Sequence, residues 1–277
     1  MGHALVIGKD GPLAAALQAG ATARGHEVHR CSGNVEAVQL VRQRAVDVVV
    51  TDTETSIEED LALVRELTST RPGLKIIVLA PAATHGDLMA ALRAHVFACF
   101  TPPFEPGDIV DMVWSALNAS DWQDGLELVS GLPHWFTLRV SCHLLTAERL
   151  VRFMTEHLSS LPADERDLLI AAFRELLLNA MEHGAGFDHG KVVEVTAART
   201  ARAIVYHVRD PGSGFNRQAL AHAAMSPDAD EVVASALRRS EMGLRPGGFG
   251  MLIARTVADE LVYNEFGNEV LLVKHLD

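Results

Sequence analysis

The sequence predicts two joined domains: a doubly wound α/β domain with a parallel sheet, followed by an α+β two-layer sandwich. Three observations carry this reading. Residues 1–118 alternate short β-branched runs with amphipathic stretches five times, and near-continuous apolar strands between helices mark a parallel sheet covered on both faces. Residues 119–133 are polar and turn-rich, running Ala-Ser-Asp-Trp-Gln-Asp-Gly and later Ser-Gly-Leu-Pro, which reads as a linker. From residue 134 to 277 helices come first and paired strands follow. The expected boundaries are therefore 1–118, a linker over 119–133, and 134–277, with length enough for two cores.

The elements follow in order. Residues 4–7 (Ala-Leu-Val-Ile) read as a strand and 13–24 as a helix. A second strand centres near Val28, with a helix over 35–44. Residues 47–52 (Asp-Val-Val-Val-Thr-Asp) form the third strand, and a helix covers 58–70. Residues 75–79 are the fourth strand and 85–94 its helix; 96–100 are the fifth, before Pro102-Pro103 and a helix over 106–118. In the second half, 135–142 alternates like an antiparallel strand and 146–159 is a helix. A long helix over 164–183 opens with Asp and Glu, which the helix dipole favours. Strands 192–197 and 203–209 turn near 199–202; a region over 216–246 leads to Gly247-Gly248-Phe249-Gly250, a helix over 250–260, and strands 261–265 and 269–274.

Composition bounds the function. Apolar residues make up 48% of the chain, so it is globular rather than disordered. The formal net charge of −12 argues against sequence-independent nucleic-acid binding, which needs a basic face. Cys31, Cys99 and Cys142 are far apart and suggest neither a disulfide framework nor a CxxC metal site. No signal-peptide layout and no membrane-length apolar run is visible, so a cytoplasmic location with no membrane partner is the expectation.

In a doubly wound sheet, function sits at the C-terminal ends of the strands. Asp52 ends the third strand and Asp10 follows the first, and two such carboxylates can hold Mg²⁺ together with water and backbone oxygens. This half resembles the receiver domain of response regulators, a flavodoxin-like fold. The resemblance implies that Asp52 stands at the phospho-accepting position and Asp10 among the Mg²⁺ ligands. The pattern departs from that family at three places. One acidic partner after the first strand is Lys9, the hydroxyl residue after the fourth strand is Ala80, and the lysine after the fifth falls on Pro102. The missing hydroxyl and lysine would bind and neutralise phosphoryl oxygens. Two readings stand: phosphorylation at Asp52, or a pseudo-receiver used for binding or dimerisation.

In the long helix, Glu175, Asn179 and His183 are spaced i, i+4, i+8 and share a face, with Phe173, Leu176, Leu177 and Ala180 opposite. Alone that is an ordinary amphipathic helix. Asp210, Gly212 and Gly214 then leave a strand; a buried Asp can accept from an exocyclic amine, and glycines let backbone approach a ligand. Arg245, Gly247, Gly248, Phe249 and Gly250 open a later helix, whose free N–H groups suit an anion. In this order the three segments resemble the GHKL ATPase superfamily with its histidine-kinase-like fold. The run E-x-x-x-N-A-x-E-H-G most resembles the anti-sigma-factor serine/threonine kinases of bacterial partner-switching systems, and Val257-Ala258-Asp259-Glu260-Leu261 also fits.

The resemblance implies roles. ATP and Mg²⁺ are the cofactors; Asn179 ligates the Mg²⁺, Glu175 is general base toward a protein hydroxyl, and Asp210 reads the adenine amine. Gly212 and Gly214 shape the pocket edge, Gly247, Gly248 and Gly250 hold phosphates with Phe249 beside them, and 216–246 is the ATP lid, whose Arg238, Arg239 and Arg245 either reach the γ-phosphate or are plain charge on a surface loop. His183 is either a ligand or a structural residue at the helix end. The implied partners are a sigma factor and/or a small antagonist protein phosphorylated on Ser or Thr, with homodimerisation. Two other classes stay open: a non-catalytic ATP-binding module that sequesters a protein, and a histidine-kinase-like protein. The second lacks room in 119–133 for a phospho-accepting helical hairpin, and neither His143 nor His157 has the usual acidic neighbour.

Overall fold

The computed structural model describes residues 1–8, 11–119, 123–214 and 249–276. The chain divides into two compact units, Met1–Asp124 and Gly125–Asp277.

In the first unit the strands are β1 His3–Ile7, β2 Glu27–Cys31, β3 Val48–Val50, β4 Lys75–Leu79 and β5 Ala98–Phe100. They form one sheet in the order β2-β1-β3-β4-β5, and every neighbouring pair is parallel. This is the doubly wound order in which ligands bind beyond the carboxyl ends of the strands. Val48, Val49 and Val50 have no solvent exposure, as expected for a strand covered on both faces. The helices are α1 Pro12–Arg24, α2 Asn34–Gln43, α3 Ile57–Thr70, α4 His85–Arg93 and α5 Pro106–Asn118. Local sequence sets their starts. Proline opens α1 and α5, where its missing N–H costs nothing. Ser56 with Glu59, and Thr84 with Asp87, form reciprocal capping boxes that start α3 and α4.

In the second unit, β6 Leu126–Leu132, β7 Trp135–Ser141, β8 Val192–Arg199, β9 Ala203–Arg209, β10 Glu260–Tyr263 and β11 Glu269–His275 make an antiparallel sheet ordered β10-β11-β9-β8-β7-β6. The helices are α6 Leu144–His157, α7 Ala163–Asn179 and α8 Phe249–Val257. Phe136, Leu138 and Val140, Val193 and Val195, and Ile204, Tyr206 and Val208 alternate along their strands and are all buried. Phe173 of α7 packs on Tyr206 of β9, ring centroids 4.9 Å apart. Helices therefore cover one face of the sheet, the two-layer sandwich that the sequence predicts.

One boundary needs correction. The expected linker over 119–133 contains β6, whose Leu126 pairs with Val140 and Leu132 with Trp135. Only Leu126 of this strand is buried, and its register shifts between Leu128 and Ser130. A half-covered edge strand with a bulge shows no clean alternation, so its residues read as turn. The second domain starts at Gly125 rather than at 134.

Candidate functional site

Glu175 and Asn179 lie one turn apart in the last turns of α7, and both are partly exposed. The buried face of the helix carries Leu169, Ala172, Phe173, Leu176 and Leu177. Arg174 approaches Glu175, with Nη1 3.5 Å from Oε1. The expected helix to residue 183 instead ends at Asn179 and widens over Ala180–Gly184 into a π-type turn. Ala185 N–H donates to Ala180 O at 3.1 Å, an i+5 bond. Such wide turns recur at functional sites. His183 sits in this turn, exposed, so its position is not set by the α-helical register that suggested a ligand role.

The wide turn meets the end of β9. Asp210 is partly buried, and its Oδ1 accepts the Gly212 N–H at 2.8 Å. Burial pushes its carboxyl above the usual range, against the lowering effect of that hydrogen bond. Any side chain at Gly184 would overlap Asp210, and a Cβ at Gly212 would lie 2.7 Å from the Gly184 carbonyl oxygen. Gly214 has φ +79°, and a Cβ there would overlap the Phe266 carbonyl. Both glycines of the Asp-x-Gly-x-Gly run are thus required by close backbone approach, Gly212 to the helix end and Gly214 to the β10–β11 turn.

That turn is itself fixed. Asn264 Oδ1 accepts the N–H groups of Gly267 (2.7 Å), Asn268 (3.1 Å) and Glu269 (3.2 Å). Asn268 O takes the Asp210 N–H at 3.0 Å, and Asn268 Nδ2 donates to Gly212 O at 3.3 Å. Gly184, Asn264 and Asn268 were not among the site residues read from sequence. The only signal for Gly184 was its place at the end of the E-x-x-x-N-A-x-E-H-G run; Asn268 left none because its partners Asp210 and Gly212 lie over 50 residues away, and Asn264, whose partners belong to its own turn, read only as the end of a strand.

Nearby, Cys142 is fully buried, and its thiol is pushed up to about 11 by burial first and then by the charges of Asp188 and Asp210. The His143 and His189 rings stack at 3.4 Å, and burial followed by the neighbouring imidazole holds His143 below its ordinary value.

Phe249 and Gly250 are the first residues of α8, which packs against α7. Tyr263 Oη donates to Met251 Sδ at 3.1 Å, tying α8 to β10. Arg245, Gly247, Gly248 and the expected lid over 216–246, including Arg238 and Arg239, lie outside the described residues.

These groups fit a purine nucleotide with a hard cation. Among the described residues Asp210 Oδ2 accepts no hydrogen bond, so an amine donor can meet it. The Asn179 amide oxygen is a hard donor of the kind Mg²⁺ takes. Asn179 ends α7, and Asp210 meets Gly184 of the turn that follows it.

In the first unit Asp52 stands just past the end of β3, partly exposed, as expected. Its Oδ1 accepts the Glu54 N–H at 3.2 Å. Gly8 has φ +111°, and a Cβ there would lie 2.5 Å from Asp52 Oδ2, so glycine is needed beside this carboxylate. Asp10, the second expected Mg²⁺ ligand, and Lys9 lie outside the described residues. The carboxylate that the structure adds is Asp60, which has no solvent exposure. Thr55 donates to its Oδ1 at 2.7 Å and Thr51 to its Oδ2 at 3.1 Å. Thr51 Oγ1 also accepts the Leu79 N–H at 3.0 Å, so this network fixes the loop that carries Asp52.

Comparison with known proteins matches both halves. Residues 5–114 fit the response regulator receiver domain, and residues 141–274 fit the histidine kinase-like ATPase domain. The chain therefore joins a receiver domain to a histidine kinase-like ATPase domain, the latter an ATP-binding, kinase-like module. The transcriptional regulatory proteins GlrR of Escherichia coli K12 and QseF of Escherichia coli O157:H7 are each 25% identical over 118 residues, covering 43% of this chain. The chain spans only 27% of the length of each. Among solved structures, a receiver domain protein from Methanospirillum hungatei JF-1 is 19% identical, over 43% of this chain and 94% of that one, with a TM-score of 0.38. A Burkholderia pseudomallei response regulator with a phosphorylated aspartic acid is 22% identical, over 43% of this chain and 67% of that one, with a TM-score of 0.36. No helix among the described residues is long and apolar enough to cross a membrane.

Proposed function

We propose that this chain is a signalling regulator whose second domain is an ATP- and Mg²⁺-dependent serine/threonine protein kinase of the anti-sigma-factor, partner-switching type. The observation that carries the reading is the pair Glu175 and Asn179 on one partly exposed face of α7, beside the Asp210–Gly184–Gly212 junction. A carboxylate one turn before an Mg²⁺-binding asparagine suits transfer to a hydroxyl. Glu175 takes the proton of the substrate Ser or Thr as its oxygen bonds the γ-phosphorus and the bond to the β-phosphate bridging oxygen breaks. Asn179 holds the Mg²⁺, which when bound neutralises phosphate charge. The partners are a small antagonist protein bearing the hydroxyl, a sigma factor, or both, engaged by a homodimer.

The receiver domain gates this activity or sets the dimer state. Asp52 is its candidate switch residue, although Ala80 and Pro102 remove two usual phosphoryl contacts. If residues 125–277 alone bind nucleotide and partner as the full chain does, gating is wrong.

Transfer from γ-labelled ATP to candidate antagonists tests the kinase assignment. Phosphoserine or phosphothreonine is expected, with Glu175→Ala lowering the rate by about 10²–10⁴. No transfer, with partner binding intact in Glu175→Ala, would instead make the domain a non-catalytic sequestering module. Acid-labile phosphohistidine would point to the histidine-kinase class.

A further inference from the structure

Three metal-ligating side chains converge at the N-terminal edge of the parallel sheet. His3 begins β1, Glu27 begins β2, and the two are register partners across the parallel pair. His29 is two residues on from Glu27, so both point to the same face of β2. His3 Nδ1 lies 3.4 Å and His29 Nε2 3.5 Å from the same oxygen, Glu27 Oε2. The three donor atoms all lie within 4.8 Å of one another. Ligands at about 2.0–2.1 Å in a tetrahedron stand about 3.4 Å apart, which matches both of these separations.

The backbone beneath the cluster is fixed. His3 N–H donates to Asp47 Oδ2 at 2.8 Å, and Glu27 N–H to Gly2 O at 2.9 Å. The two imidazole rings are parallel within 4°, at a centroid distance of 6.0 Å. His3 and His29 side chains are about a quarter exposed and Glu27 about half, so an ion can enter from solvent.

We propose that His3, Glu27 and His29 form a binding site for a borderline divalent transition metal, Zn²⁺ or a first-row neighbour such as Co²⁺ or Ni²⁺, with solvent completing the coordination. Two imidazoles and one carboxylate select such ions over Mg²⁺ and Ca²⁺, which prefer all-oxygen sets. The site is at the opposite end of the strands from Asp52, so it is separate from any cation held there. A metal here clips edge strand β2 to β1 and stabilises the receiver domain by binding only its folded form.

The test uses the full chain, stripped of metal, titrated with Co²⁺ alone and followed by visible absorption. One equivalent is expected to give the d–d bands of a low-coordinate nitrogen–oxygen site, displaced by Zn²⁺, and Zn²⁺ is expected to raise the melting temperature. His29→Ala and Glu27→Gln should each weaken binding at least about tenfold, since even supporting residues of metal sites cost that much. A double His143→Ala, His189→Ala variant should bind as wild type does. The proposal fails if wild type gives no saturable spectrum, or if both His29→Ala and the folded, milder Glu27→Gln bind with unchanged affinity.

Discussion

Asp60 shows what a single buried carboxylate does to this protein. It has no exposure, and burial pushes its carboxyl to about 6 even though Thr55 and Thr51 donate to it. The folded value lies above the ordinary 3.8, so the folded state holds the proton more tightly. Stability linked to this group is complete below about pH 4 and falls as pH rises toward 6, by at most about 3 kcal/mol. We expect Asp60→Asn, which keeps the shape and can still bond both hydroxyls, to lose that dependence. Denaturant unfolding from pH 4 to 7 should show wild type losing stability relative to the variant. Parallel pH profiles would rule out the buried charge. The sequence offered Asp52 readily, because a carboxylate ending an apolar strand in a doubly wound pattern is visible by position. Asp60 was not visible: its role comes from burial under a loop, and helical spacing gave it an unremarked place in an acidic first turn.

At the scale of elements, the junction of α7 with β9 organises the candidate site. The wide turn at Ala180–Gly184 brings Gly184 against Asp210, leaving no room for a side chain. Gly184→Ala should therefore displace Asp210 or open the helix end, costing about 1–3 kcal/mol and weakening nucleotide binding. Urea unfolding and a nucleotide titration on one preparation measure both. Unchanged stability would mean that the close approach is not maintained in solution. The helix, its polar stripe and the glycine run were all legible in sequence, since they depend on local spacing. Their meeting was not, because it depends on a π-type turn that no residue pattern announced. The lower bound of the second domain was missed for the opposite reason. β6 is an edge strand with one buried residue, and the Ser-Gly-Leu at its end, followed by Pro133, carries the signature of a turn.

The whole molecule is two domains read correctly as classes, with the seam about ten residues off. This has a practical consequence. A fragment of residues 125–277 keeps β6 on β7, whereas 134–277 leaves β7, which carries the buried Phe136, Leu138 and Val140, as a bare edge. Uncovered edges invite pairing between chains. We expect the shorter fragment to melt several degrees lower and to aggregate at concentrations where the longer one is monodisperse or dimeric; a loss of one to two kcal/mol corresponds to about 2–8 °C in domains of this size. Equal melting points by scanning calorimetry would return 126–132 to the status of a linker.

We propose that the second domain reads adenine through Asp210 and holds the phosphates near Asn179. An ionised or hydrogen-bonding acceptor at Asp210 meets the amine of adenine but faces the carbonyl oxygen of guanine. Calorimetric titration of the full chain with Mg²⁺–ATP and Mg²⁺–GTP tests this directly. Saturable ATP binding is expected, at least about tenfold tighter than GTP because a buried acceptor would be left unpaired, with the preference largely lost in Asp210→Asn. Equal affinity for the two nucleotides, or an Asp210→Asn variant that keeps the full preference for ATP, would contradict it.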